Sequence, residues 1–214
     1  MGFVKIPPEV LRSFGNAGFP HLTTGNLYFY PNPALRWFFW ERLKKVYQAC
    51  RGVAAAEVLD LGCGGGELLP SLAGSFPRIH GIDFQVEHAR KVVEYYELKN
   101  VTLIEGDFLK TDFFPGGFDL VVIADVLEHQ RDLEYFLRRV LAILKTGGTV
   151  VACIPVEGVL YRWGRRVFRL TPPADHFQNC LRLIAGLNQH FQIQETMDLP
   201  LLFPFFQVLK GLKP

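Results

Sequence analysis

Short apolar runs and amphipathic stretches alternate along the middle of the chain. Glu57 to Leu61 is an apolar run that enters a glycine cluster and then a helix through Leu72. Ile79 to Ile82, Val101 to Ile104, Phe118 to Ala124 and Thr149 to Ile154 predict four more strands. Between them Val86, Ala89, Val92, Val93 and Tyr96 recur at helical spacing. So do Leu133, Phe136, Leu137, Val140, Leu141 and Leu144, a face closed by Gly147 and Gly148. The run Leu120-Val121-Val122-Ile123 is apolar at successive positions, as in a central parallel strand covered on both faces. Strands alternating with helices in this way predict an α/β fold with a doubly wound, largely parallel sheet and right-handed crossovers.

The ends of the chain read differently. Five prolines within residues 1 to 33 predict an irregular lead-in. A helix follows from Ala34 to Cys50, its apolar face formed by Leu35, Phe38, Phe39, Leu43 and Val46 and widened by Trp37, Trp40 and Tyr47. After the fifth strand, Gly158 to Leu170 reads as a helix, and Phe177, Cys180, Leu181, Ile184 and Leu187 mark another. Phe191 to Met197 and Phe205 to Leu209 read as two final strands.

Composition narrows the function class. A chain of 214 residues with 49% hydrophobic and 21% charged residues suits one globular domain. A net charge of +2 gives no basic excess of the kind a nucleic-acid binder needs. The four cysteines are widely spaced, with no CxxC pair, which argues against a metal knuckle or a disulfide framework and for a reducing compartment. The N-terminus lacks a signal-peptide core, and Leu199 to Leu209, interrupted by Pro200 and Pro204, is too short to span a bilayer. A cytoplasmic protein is expected, with membrane contact left open.

Three strand ends carry the candidate chemistry. In Asp60-Leu-Gly62-Cys63-Gly64-Gly-Gly66 a buried strand runs into a glycine turn that lets a ligand lie against bare backbone. The dinucleotide fingerprint wants glycine at position 67, where Glu67 stands and would repel a pyrophosphate. Asp83, at the end of the second strand, can accept from both hydroxyls of a ribose, and Phe84 beside it can cover an adenine face. Asp107, in Gly106-Asp107-Phe108 after the third strand, can accept from an exocyclic amine. Each acid taken alone also reads as a plain turn residue. Their placement at the ends of three successive strands, on one rim of a parallel sheet, favours a shared crevice over three separate turns.

With these residues in view, the stretch from about Val53 to Pro155 resembles class I S-adenosylmethionine-dependent methyltransferases, in the broad group that modifies small molecules. The pieces that carry the resemblance are VLDLGCGGG, GID, GDF, FDLVVIADVLEH and LKTGGTVVACIP, about half the chain in the family's order. The resemblance implies a Rossmann-like sheet of seven strands, mostly parallel with an antiparallel last strand. It implies S-adenosyl-L-methionine as cofactor, with Gly62, Cys63, Gly64 and Gly66 around its methionine end and Asp60 supporting the loop. Asp83 then holds the ribose, Asp107 and Phe108 contact the adenine, and Asp125 flanks the methionine. It also divides the chain into a lid and helix segment (1–50), a cofactor-binding core (53–155), an acceptor-side helical insertion (156–189) and a final strand pair (190–214), all in a single domain.

Methyl transfer from a sulfonium requires chiefly alignment of donor and acceptor, with a base only where the acceptor must lose a proton. His129, in Asp125-Val-Leu-Glu128-His129, and His176, in Asp175-His176-Phe177, are the candidate bases, and each also reads as a capping or supporting residue. No metal-ligand cluster is expected. Arg162, Arg165, Arg166 and Arg169 form one basic stripe. It reads either as a solvated helix face or as a contact with an anionic membrane surface or a phosphate-bearing substrate, and Gly164 weakens the helix that would carry it. The aromatic lid fits a small apolar, aromatic or lipid-like acceptor. The alternative is a regulatory or scaffold protein that keeps the cofactor pocket without turnover. No nucleic-acid partner is expected, since the Asn/Asp-Pro-Pro-Tyr motif that grips a flipped base is replaced by Ala124-Asp125-Val126-Leu127.

Overall fold

The computed structural model describes residues 2–14, 28, 32–156, 177–199 and 205–214. Their strands are β1 (Glu57–Leu61), β2 (Arg78–Asp83), β3 (Val101–Glu105), β4 (Phe118–Ala124), β5 (Leu144–Pro155), β6 (Gln192–Leu199) and β7 (Phe206–Leu212). They belong to one seven-stranded sheet in the order β3-β2-β1-β4-β5-β7-β6. The described helices are α1 (Pro8–Ser13), α2 (Pro33–Cys50), α3 (Leu69–Ala73), α4 (Glu87–Tyr95), α5 (Leu133–Ile143) and α6 (Cys180–His190). The chain falls into two compact units, Met1–Asp112 and Phe113–Pro214. The predicted helix at Gly158 to Leu170, the basic stripe Arg162, Arg165, Arg166 and Arg169, and His176 lie outside the described residues.

In the first unit β1 pairs with β2, and β2 with β3, both in parallel. Val58, Leu59, Ile79 and Ile82 are fully buried at their centre, the environment that apolar runs require when helices cover a parallel sheet. Helix α2 begins one residue before its apolar pattern, because Asn32 caps it: its side chain accepts from the N–H groups of Ala34 and Leu35 at 2.9 and 3.3 Å. Leu35, Phe39, Leu43 and Val46 are buried as their spacing predicts, together with Trp40 and Tyr47. Trp37 departs from that pattern and stands exposed.

In the second unit β4 and β5 run parallel, and β7 is antiparallel to both β5 and β6, so the mixed sheet implied by the resemblance is present. Two boundaries differ from the sequence pattern. Helix α5 stops at Ile143, and β5 starts at Leu144 rather than Thr149, because Leu144 already pairs with Phe118. The register then shifts before Thr149 meets Leu120, which leaves Lys145 to Gly148 as a bulge held by a 2.6 Å ion pair between Lys145 and Asp119. No helix among the described residues is long and apolar enough to cross a membrane.

Candidate functional site

The turn after β1 is built by glycines. Gly62, Gly64 and Gly66 have φ of 77°, 53° and 83°, values at which a Cβ collides with the neighbouring carbonyl. The GxGxG spacing therefore matches the positions where the backbone turns left-handed. Gly62 and Cys63 both donate their N–H groups to the Ile82 carbonyl, at 2.8 and 3.1 Å, folding the loop back over the end of β2. Gly66 has a second reason to be glycine: a Cβ there would lie 2.9 Å from Ala89 Cα of α4. A Cβ on Gly64 would meet no atom within 4 Å, so its glycine serves conformation and not packing. The expected helix begins only at Leu69, after the turn is complete, and runs for five residues.

Asp83 ties the strand ends together. Its Oδ2 accepts from the Gly64 N–H at 2.8 Å, and Gly106 N–H donates to its backbone carbonyl at 2.9 Å. The glycine loop, Asp83 and the Gly106-Asp107 turn are thus joined through one residue, as strand order predicts. Asp107 itself closes a turn, accepting from the Leu109 N–H at 2.9 Å with Lys110 Nζ at 3.5 Å. Phe84 is 70% exposed beside Asp83, whereas Phe108 is buried. Asp125 and His129 belong to the second unit. Asp125 follows β4 directly with φ of 55°, a left-handed conformation that Asp tolerates better than most residues. His129 closes a short 3₁₀ turn, Leu127–His129, and is half-buried.

Electrostatics single out Asp60. The residue is 3% exposed, and its Oδ2 has no hydrogen-bond partner. Burial first, then the charges of Asp83 and Glu67, push its carboxyl up to about 7. Burial also raises Glu67, to about 7, against the opposing effects of its own N–H and of Arg42. Asp83 is raised by burial as well, although the N–H groups of Gly64, Gln85 and Phe84 hold it down in part. The Cys63 thiol is pushed far up by burial and by the same acids, which makes it an inert loop residue and no nucleophile. A buried acid lacking a partner, beside two others, is a strong attractor for a cation with N–H donors. Among the described residues no group of three or more His, Cys, Asp or Glu could hold a metal ion.

Sequence reasoning missed Glu67 and Arg42 as members of this cluster. Arg42 is buried on α2, where it falls on the same stripe as Phe39, Leu43 and Val46. An arginine on an apolar stripe is the signal that would have found it, since a buried charge needs a partner.

Residues 53–195 match a family model described as a methyltransferase domain. The chain is 27% identical over 179 residues to sterol 24-C-methyltransferase of Aspergillus fumigatus, covering 72% of this chain and 45% of that protein. It is 33% identical over 102 residues to the ubiquinone biosynthesis O-methyltransferase of Chromobacterium violaceum, covering 46% and 44%. The chain thus spans less than half the length of these curated relatives. Among solved structures, the N-methyltransferase NodS from Bradyrhizobium japonicum WM9 in complex with S-adenosyl-L-homocysteine superposes with a TM-score of 0.70 at 18% identity, covering 96% of this chain and 97% of that one.

Proposed function

Because this chain belongs to the methyltransferase-domain family, we propose that it transfers the methyl group of S-adenosylmethionine to a small apolar acceptor. The cofactor supplies a methyl already activated on a sulfonium, so the protein's task is to bind and align. The observation that carries this reading is the unpartnered Asp60 Oδ2, buried beside Asp83 and Glu67. S-adenosylmethionine fits that environment, since it bears two positive centres and a ribose. In this assignment Asp60 faces the ligand's ammonium end and Gly62, Cys63, Gly64 and Gly66 present backbone to it. Asp83 accepts from the ribose hydroxyls, while Asp107, Phe84 and Phe108 border the base. The resemblance further assigns Asp125 to the methionine end and leaves His129 and His176 as the candidate bases for an acceptor that must lose a proton.

An apolar acceptor is supported by two relatives whose names specify sterol methylation and ubiquinone biosynthesis, and by the aromatic content of the N-terminal segment. The test is transfer of a labelled methyl group from S-adenosylmethionine to a panel of sterols, phenolic quinone precursors and hydrophilic amines. Labelling confined to the apolar members is expected. Cofactor binding without labelling of any member would favour a protein that keeps the pocket without turnover, and labelling confined to the amines would overturn the acceptor class.

A further inference from the structure

Glu67 is the one charged side chain of the turn between β1 and α3, and the cofactor assignment above gives it no role. It is 6% exposed. Its carboxylate folds back over Gly65, with Oε1 only 2.5 Å and Oε2 2.9 Å from where a Cβ on that residue would sit. The ionisable groups that act on it are Arg42 of α2, Asp60 of β1, Cys63 of the turn and Asp83 of β2. His88 is held below its usual value by burial, and its Nδ1 lies 2.9 Å from the Gly65 carbonyl. Arg42 is the only cation acting on Glu67 among these groups, against two carboxyl groups, Asp60 and Asp83.

A glycine turn of this kind ordinarily suits phosphate, because bare N–H groups attract an anion. Here the buried acids reverse that preference. We propose that Glu67 determines the ligand specificity of the turn, favouring a sulfonium-bearing nucleoside over its neutral thioether and excluding nucleotides with a pyrophosphate. Arg42 is the counter-ion that lets the carboxylate remain buried there. The inference rests on the cofactor reading given above and extends it to discrimination between ligands that share the adenosine. A cation bound beside carboxyl groups that burial has raised lowers their proton affinity, so its binding releases protons near neutral pH.

The test is calorimetric titration of the full chain and of Glu67→Gln with S-adenosylmethionine, S-adenosylhomocysteine and NAD, at about pH 7.5, above the value of about 7 to which Glu67 is raised, so that its carboxyl is mainly ionised, while the ligands' amino groups still keep much of their charge. The substitution is expected to shift the ratio of the first two affinities about tenfold toward the neutral thioether, the scale of one partly screened charge. An unmoved ratio in a folded variant, or wild-type binding of NAD as tight as that of S-adenosylmethionine, overturns the proposal while leaving the cofactor reading intact. Failure of the wild type to bind either adenosyl ligand overturns the cofactor reading and the proposal with it. Should Glu67→Gln not fold, proton release by the wild type decides, measured in buffers of different ionisation enthalpy. More protons released with S-adenosylmethionine than with S-adenosylhomocysteine support the proposal, and equal counts overturn it.

Discussion

Gly64 and Gly66 lie two positions apart in one turn, both with left-handed backbones, yet they bear different constraints. At Gly64 only the backbone angle matters, because a Cβ would meet nothing. At Gly66 the angle is compounded by the backbone of Ala89, 2.9 Å away, which cannot step aside as a side-chain tip can. Gly64→Ala should therefore cost about 1 kcal/mol, the strain of a left-handed non-glycine residue. Gly66→Ala should cost about 2–4 kcal/mol, since α4 must also move. Urea midpoints of the two variants check this, and equal losses would sink the packing argument. The spacing of the three glycines was legible in the sequence because no other residue adopts those angles freely. The burial of Glu67 was not, because a charged residue in a polar turn reads as exposed until Arg42, 25 positions earlier, is folded against the same unit.

Elements were legible where one local signal dominated. The strands β1, β2 and β4 are each marked by a cluster of apolar residues, and their observed bounds differ from the expected ones by one residue at most at either end. Boundaries set by long-range pairing were not legible. Leu144 completes the apolar stripe of α5 by spacing, but its bridge to Phe118 draws it into β5. Helix α2 lies between these cases: its stripe predicts the helix, and its start is fixed by the Asn32 cap with Pro33 at the first helical position, where a missing N–H does no harm. Asn32→Ala leaves two N–H groups at the start of α2 without their acceptor and should cost about 1 kcal/mol. Because Arg42 lies on this helix, affinity for S-adenosylmethionine should hold if only the first turn frays. Thermal denaturation and ligand titration of the same variant test both parts, and an unchanged melting temperature would show that the cap contributes nothing.

At the scale of the whole molecule the buried acids set how stability responds to pH. Asp60 and Glu67, each raised to about 7, keep their protons in the folded chain where the unfolded chain has lost them. The folded state binds more protons between the ordinary carboxyl range and about pH 7, so these two groups make stability fall as pH rises through that window. Asp83, also raised, acts in the same direction. His88 opposes them: its value is lowered from the ordinary 6.5, so the unfolded chain binds the extra proton and stability gains as pH rises toward 6.5. Glu57, held below its ordinary value by Arg78 and His80 against the effect of burial, contributes stability that is lost only as pH falls below the carboxyl range. Above about pH 6.5 the raised acids alone remain, and the melting temperature of the cofactor-free chain should decline toward pH 8. A bound sulfonium offsets the repulsion among the ionised acids, so the increment in melting temperature from saturating S-adenosylmethionine should grow over the same interval. Scanning calorimetry with and without the cofactor at each pH measures both curves. Parallel curves would mean that the acids do not face the cofactor's charge, and a cofactor-free curve that rises toward pH 8 would mean that they are not raised at all.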